Sequence, residues 1–148
     1  MRLSRLALIP AAALLVTACS SGGGATAAPS VSAAAPATRI EVKLTDALKM
    51  EPAAMTVPAG VPVTFVVTNR GATDHEFYLG DEGAQAEHEK EMGAMGGMSR
   101  DDPAGIGLKP GETKELTYTF TAAGKVLAGC HEVGHYGAGM KAEVTVAG

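Results

Sequence analysis

The fold is decided by one stretch near the C-terminus, Gly129-Cys130-His131-Glu132-Val133-Gly134-His135-Tyr136-Gly137-Ala138-Gly139-Met140. It carries a thiol, an imidazole and a thioether at Cys130, His135 and Met140, with four residues between each pair. Sulfur ligands are soft, and a thiolate with imidazole and a distant thioether is a ligand set that suits copper. The stretch therefore predicts a metal-binding loop.

A fourth candidate ligand, His75, lies 55 residues before Cys130. Two imidazoles and a thiolate, with a long axial thioether, suit both oxidation states of copper. Taken singly, each residue type has an ordinary alternative: a buried cysteine, a core histidine or a core methionine. Their joint occurrence favours a mononuclear type 1 copper site, with one copper per chain at His75, Cys130, His135 and Met140.

The sequence around these residues is typical of strands. Residues 39–44 and 141–147 alternate between polar and apolar side chains, and residues 61–69 form a β-branched run. Further strands are predicted at residues 55–57, 75–79, 116–120 and 125–130. About seven strands separated by turns predict an all-β domain, a Greek-key β-sandwich, over residues 38–148.

Residues 81–107 interrupt the strand pattern as an insertion that is first acidic and then rich in methionine. Residues 87–92 are suited to a short helix, whereas glycines at 93, 96 and 97 argue against a long one. A loop of this length in a small domain is usually functional or mobile.

The insertion contains a second set of soft ligands, His88, Met92, Met95 and Met98. The first three would share one face of a helix. Two interpretations stay open: a secondary Cu(I) site, or methionines that pack as adaptable apolar surface. The neighbouring glycines favour packing, because they make a rigid cage of ligands harder to build.

The N-terminus is typical of an export signal. Arg2 and Arg5 precede an apolar run that is too short for the roughly 20 residues of a membrane span. The run ends in Ala18-Cys19, which resembles the lipobox whose cysteine is acylated; the alternative is simple cleavage beside an incidental cysteine. We predict a lipoprotein signal peptide at residues 1–18 and a flexible linker at 19–37 after lipidated Cys19. The protein would then be extracytoplasmic, anchored to the outer face of a bacterial membrane, in the cell envelope or periplasm.

Cysteine usage and charge narrow the function further. The chain has two cysteines, so a lipidated Cys19 leaves Cys130 without a disulfide partner, and a metal bond explains its presence. The net charge is −4, which disfavours nucleic acid as a partner. A redox protein with a basic docking surface, such as a cytochrome or a copper oxidase or reductase, is favoured instead.

In its candidate ligands and their spacing, the domain resembles the cupredoxin family. The spacing Cys130-x4-His135-x4-Met140 with an upstream His75 is similar to the rusticyanin and sulfocyanin branch, and to the C-terminal copper loop of multicopper oxidases. The resemblance implies that both histidines bind through ring nitrogen, Cys130 through thiolate and Met140 axially. It also implies electron transfer through the solvent-facing edge of His135.

Two residues depart from the family pattern. Glu76 follows His75 where the family often has Asn or Ser, and a buried carboxylate there is costly unless it is paired. His131 follows Cys130 as in multicopper oxidases, but Gly129 replaces their preceding histidine. Four histidines in the whole chain are too few for a trinuclear cluster, so we predict that His131 is exposed to solvent or adjoins the ligands.

The favoured function is a membrane-tethered, non-enzymatic electron carrier. The alternative is a copper-handling protein, a chaperone or scavenger, with an additional Cu(I) site in the Met-rich loop. An oxidase or reductase is disfavoured, because a catalytic copper with an open position needs further ligands.

Overall fold

The computed structural model describes residues 38–96 and 101–148. Their elements in chain order are β1 (Thr38–Thr45), β2 (Lys49–Glu51), β3 (Ala54–Pro58), β4 (Pro62–Asn69), β5 (His75–Gly80), α1 (Glu82–Ala94), β6 (Gly105–Leu108), β7 (Thr113–Thr119), β8 (Gly124–Gly129) and β9 (Lys141–Ala147). The predicted signal peptide, the linker with lipidated Cys19, and Met98 lie outside the described residues.

The strands form two sheets, with the orders β2-β1-β4-β7 and β3-β9-β8-β5-β6. β1 pairs with β4 and β3 with β9 in parallel, and the remaining pairs are antiparallel. The chain repeatedly crosses from one sheet to the other, so strands distant in sequence become neighbours. In this way β5 lies beside β8, and His75 at the start of one strand approaches Cys130 just after the other.

The predicted all-β sandwich is confirmed, with nine strands in place of about seven. The seven predicted strands all form, and the two additional ones are β2 and β6. β2 has only three residues, too few to show a period, and β6 is a four-residue strand with glycine at two positions. Neither carries the β-branched alternation by which strands are recognised in a sequence.

The helix of the insertion is longer than predicted, because α1 begins at Glu82 and has 13 residues. The side chain of Asp81 caps it by accepting the backbone N–H of Ala84 at 2.8 Å. The helix contacts β5 and β8 and buries Gln85, His88 and Met92 against that sheet. Within residues 38–96 and 101–148, no helix is long and apolar enough to cross a bilayer.

The core lies between the two sheets. Phe65 of β4 contacts Phe77 of β5 and Phe120 after β7, with ring centroids 5.3 and 6.4 Å apart. Burial of each such side chain contributes about 1.5–3 kcal/mol to folding. Cys130 and Met140 belong to the same buried cluster, so the candidate site forms one end of the core instead of a surface patch.

Candidate metal centre

Three of the four candidate ligands converge at one end of the sandwich. The ligand atoms of His75, Cys130 and His135 all lie within 4.8 Å of one another. Cys130 Sγ is 3.4 Å from His135 Nδ1 and 3.9 Å from His75 Nδ1. Metal–sulfur and metal–nitrogen bonds near 2.3 and 2.0 Å, at trigonal angles, would separate sulfur and nitrogen by about 3.7 Å. The donor set therefore fits a metal ion bound through both Nδ1 atoms and the sulfur.

Backbone hydrogen bonds within the loop bring Met140 back to Cys130. The N–H of Cys130 donates to the carbonyl of Met140 at 3.1 Å, and the N–H of Met140 donates to the carbonyl of His135 at 3.0 Å. The loop turns at Gly134 and Gly139, whose φ angles of +83° and +95° favour glycine. The buried Met140 side chain thus lies at the same end of the sandwich as the other three candidates.

His75 is fully buried, and one of its ring nitrogens faces a carboxylate. Nε2 lies 3.3 Å from Asp46 Oδ1, which is close enough for an ion pair, although the contact lacks hydrogen-bond geometry. Burial, with the nearby His135, lowers the pKa of His75 despite Asp46. The ring is therefore held neutral, the form in which Nδ1 can bind a metal.

Asp46 is fixed by the loop that leads into β5. It accepts the backbone N–H of Ala72 at 2.7 Å and that of Thr73 at 3.3 Å, and the Thr73 hydroxyl donates to it at 2.9 Å. Gly71 permits this approach, since a Cβ there would lie 2.1 Å from Asp46 Oδ1. These bonds, led by that from Ala72, lower the pKa of Asp46 from 3.8 to about 2.

We expect Asp46→Asn to lower the melting temperature of the copper-free protein at pH 6, with the difference from wild type shrinking toward pH 2. Because the pKa is lowered in the folded state, the carboxylate stabilises the fold above about pH 4. That contribution is lost as the pH falls from about 4 to 2. Melting curves across this range test it, with Glu87→Gln on the exposed face of α1 as control. A difference independent of pH would contradict the assignment.

The Cys130 thiol is fully buried and accepts the backbone N–H of Glu76 at 3.3 Å. Burial raises the pKa of Cys130 to about 12, although hydrogen bonds from the backbone act in the opposite direction. The sulfur is therefore a neutral thiol in the absence of a metal. Binding a metal ion requires its deprotonation.

Glu76 is buried, and it is paired. One carboxylate oxygen lies 2.9 Å from His88 Nε2 on α1, and the other accepts the backbone N–H of His131 at 3.2 Å. These partners offset the cost of burying a carboxylate beside the site.

His131 is buried, so the predicted alternative of a solvent-exposed side chain is wrong. The other alternative, a side chain that adjoins the ligands, agrees with this burial. Its Nε2 is 2.6 Å from Gln85 Oε1, and its Nδ1 contacts the carboxylate of Glu89. Its ring stacks on Tyr136 with centroids 4.5 Å apart. The ring is enclosed because α1 begins at Glu82, before the predicted residue 87, and so carries Gln85 to the ring.

The Met-rich segment shows packing at the positions that are described. Nε2 of His88 contacts the Glu76 carboxylate, and the His88 ring stacks on Tyr78 with centroids 3.8 Å apart. The Met92 side chain is buried, with 1% of its surface exposed. In the described part of the chain, only His75, Cys130 and His135 form a group of three His, Cys, Asp or Glu ligands. The secondary Cu(I) site stays a prediction, and these contacts favour the packing interpretation.

Sequence reasoning missed Asp46, Gln85, Glu89 and Tyr136 as neighbours of the site. One signal was available at Gly129, where a Cβ would lie 2.3 Å from Gln85 Oε1 and 2.8 Å from the Tyr136 ring. The glycine before the cysteine is thus required by the side chains that cover His131. Gly71 is the corresponding glycine for Asp46, and Glu89 alone of the four carries no such signal.

A β-sandwich that gathers two histidines, a cysteine and a methionine at one end defines the class of small copper proteins. A sequence profile described as a cupredoxin-like domain matches residues 8–94. The chain belongs to the cupredoxin family, and the predictions of this family and of copper as its cofactor are confirmed.

Two similar proteins are named copper-resistant cuproprotein CopI. The one from Pseudomonas aeruginosa is 37% identical over 138 residues, which cover 72% of this chain and 75% of the relative. The one from Rubrivivax gelatinosus is 36% identical over 107 residues, covering 72% of this chain. The chain spans 65% of the length of that second relative.

Similar solved structures are auracyanins. Dithionite-reduced auracyanin from Roseiflexus castenholzii has a TM-score of 0.68 at 28% identity, covering 76% of this chain and 98% of that protein. Auracyanin A from Chloroflexus aurantiacus, described as a "blue" copper protein, has a TM-score of 0.60 at 27% identity, covering 74% and 98%. The likeness extends over almost the whole of each auracyanin chain.

Proposed function

We propose that this protein is an extracytoplasmic, non-enzymatic copper protein that binds one copper through His75, Cys130, His135 and Met140 and transfers electrons between redox partners. The observation that carries the proposal is the convergence of two imidazole Nδ1 atoms on one buried sulfur at the end of a β-sandwich. The auracyanin likeness supports it, since one of those proteins is described as a blue copper protein.

Copper, when bound, supplies one-electron redox chemistry. The residues supply rigidity: His75, Cys130 and Met140 are buried, and the loop is closed by its own backbone hydrogen bonds. A site that moves little between oxidation states favours fast transfer. His135 is the one candidate ligand that is partly exposed, so its ring edge is the proposed contact for electron exchange.

The proposed partner is a redox protein with a basic docking surface. Val133, beside His135 in the loop, is 74% exposed and offers an apolar contact. Glutamates 82, 87 and 91 are exposed on α1, which contacts the strands next to the loop, β5 and β8. A basic partner would be steered by these charges and would dock faster at low salt. A lipid at Cys19 would hold the protein at the membrane where such partners reside.

The decisive experiment is an optical and electron paramagnetic resonance spectrum of the purified protein, with copper counted per chain. We expect one copper, an intense visible band when oxidised and a narrow type 1 hyperfine splitting. Reoxidation by a basic cytochrome should slow as salt is added. An oxidised, copper-loaded protein without colour would refute the proposal.

Copper handling is a second candidate function, favoured by the two relatives named copper-resistant cuproproteins. The number of copper ions bound per chain distinguishes copper handling from electron transfer. More than one Cu(I) per chain, lost when His88, Met92, Met95 and Met98 are replaced together, would support a chaperone or scavenger. A single, slowly exchanging copper would support the electron carrier.

A further inference from the structure

Four buried polar side chains lie between α1 and the ligand loop, and copper binding alone does not require them. They are Glu76 of β5, Gln85 and His88 of α1, and His131 of the loop, with exposed fractions of 0, 0, 7 and 2%. Polar groups buried this deeply are retained only where they are hydrogen-bonded to one another or to the backbone. Their contacts connect the helix to Cys130.

Gln85 links three parts of the fold. Its amide nitrogen lies 3.2, 3.4 and 2.9 Å from the carbonyl oxygens of Tyr78, Gly80 and Leu127, which belong to β5 and β8. These acceptors fix the orientation of the amide, because only its nitrogen can donate. Its oxygen is thereby directed at His131, the residue after Cys130.

Glu76 completes the connection from the other side. Its carboxylate contacts His88 of α1 and accepts the backbone N–H of His131. Its own backbone N–H donates to Cys130 Sγ. Two residues therefore connect Cys130 to α1. Glu76 donates to the sulfur and contacts His88, and His131 follows Cys130 in the chain and contacts Gln85.

We propose that α1 is a positioning clamp for the copper thiolate, in which Gln85 and His88 dock the helix and fix Cys130 through His131 and Glu76. A buried network that loses one member leaves several groups unsatisfied, so the helix docks with all of these bonds or loses them together. By linkage, a helix that favours copper binding is itself stabilised by copper. The inference rests on the proposed copper site and is independent of electron transfer.

The first test is amide hydrogen exchange, followed by mass spectrometry, on the full chain with and without copper. We expect exchange in α1 to slow by about tenfold on copper loading, within the usual range of coupling between sites. Residues 113–119 of β7, on the edge of the opposite sheet, serve as the internal control and should not change. Protection of α1 that is the same with and without copper would overturn the clamp.

The second test compares Gln85→Leu with Lys90→Gln, a substitution on the exposed face of the same helix. Gln85→Leu removes the amide at similar size, and we expect copper to dissociate at least about tenfold faster, with a shifted visible band. Lys90→Gln should match wild type in both. A spectrum and release rate unchanged in Gln85→Leu would overturn the clamp.

Two results separate this inference from the proposed function. If wild type binds copper and the amide exchange rates of α1 do not change, the clamp is wrong and the proposed copper site is unaffected. If wild type binds no copper at neutral pH, both fail. Should Gln85→Leu not fold, the exchange experiment on wild type still decides.

Discussion

Replacing Cys130 by serine is expected to abolish the strong visible absorption of the copper-loaded protein and to weaken copper binding by more than about a hundredfold. Even the loss of a group that only supports a ligand costs about 10–100-fold in metal affinity. Cys130 is a direct candidate ligand, and a serine hydroxyl does not ionise to replace the thiolate. The site is buried, so few other groups can take its place. Visible spectra and competition with a Cu(I) chelator measure the two effects.

The chain offers a matched control in its other cysteine, Cys19. Cys19→Ser should leave the band and the affinity unchanged, because residue 19 lies far from the ligand loop in the sequence and is proposed to carry a lipid instead of a metal. Met140→Leu should keep the band and alter the reduction potential, since an axial thioether tunes the potential while the thiolate gives the colour. A band that survives Cys130→Ser would exclude a thiolate–copper bond.

The candidate ligands could be proposed from the sequence because three of the four are local. Cys130, His135 and Met140 share one short loop, and the preferences of copper restrict which residue types can be combined there. The sandwich followed from strand alternation, since its buried faces impose a period of two. His75 could be added to the candidate ligands because it begins residues 75–79, a stretch that is typical of a strand.

The neighbours of the site could not be predicted, because their contacts with the site join residues that are distant in sequence. Gln85 stands among acidic residues and is typical of a solvated helix face, yet it is fully buried against β5 and β8. The length of α1 was underestimated for a similar reason. Glycine costs a helix about 1 kcal/mol, but Gly83 and Gly93 lie near its ends, and the Asp81 cap and the docked inner face outweigh that cost.

The affinity of the copper-free protein for Cu(I) is expected to rise about tenfold for each pH unit between pH 7 and 9. The pKa of Cys130 is raised to about 12 by burial, so the thiol keeps its proton throughout this range. Binding requires the thiolate, and one proton is therefore released for each copper bound. The pKa of His75 is lowered, so that ring is already neutral and adds no further proton. Competition with a chelator whose own affinity is constant over this range gives the slope.

The slope tests whether burial or the metal controls ionisation of Cys130. A slope of one means that the folded site holds a thiol until metal arrives, which would also protect the copper-free protein from oxidation, because the thiolate is the reactive form. Alkylation by iodoacetamide should then be slow at pH 8. A slope near zero with rapid alkylation would mean that Cys130 is already a thiolate, stabilised by the N–H of Glu76. Burial would then raise the pKa of Cys130 less than the enclosed position of the sulfur indicates. In that case copper would enter a preformed anionic site, and its binding would release no proton.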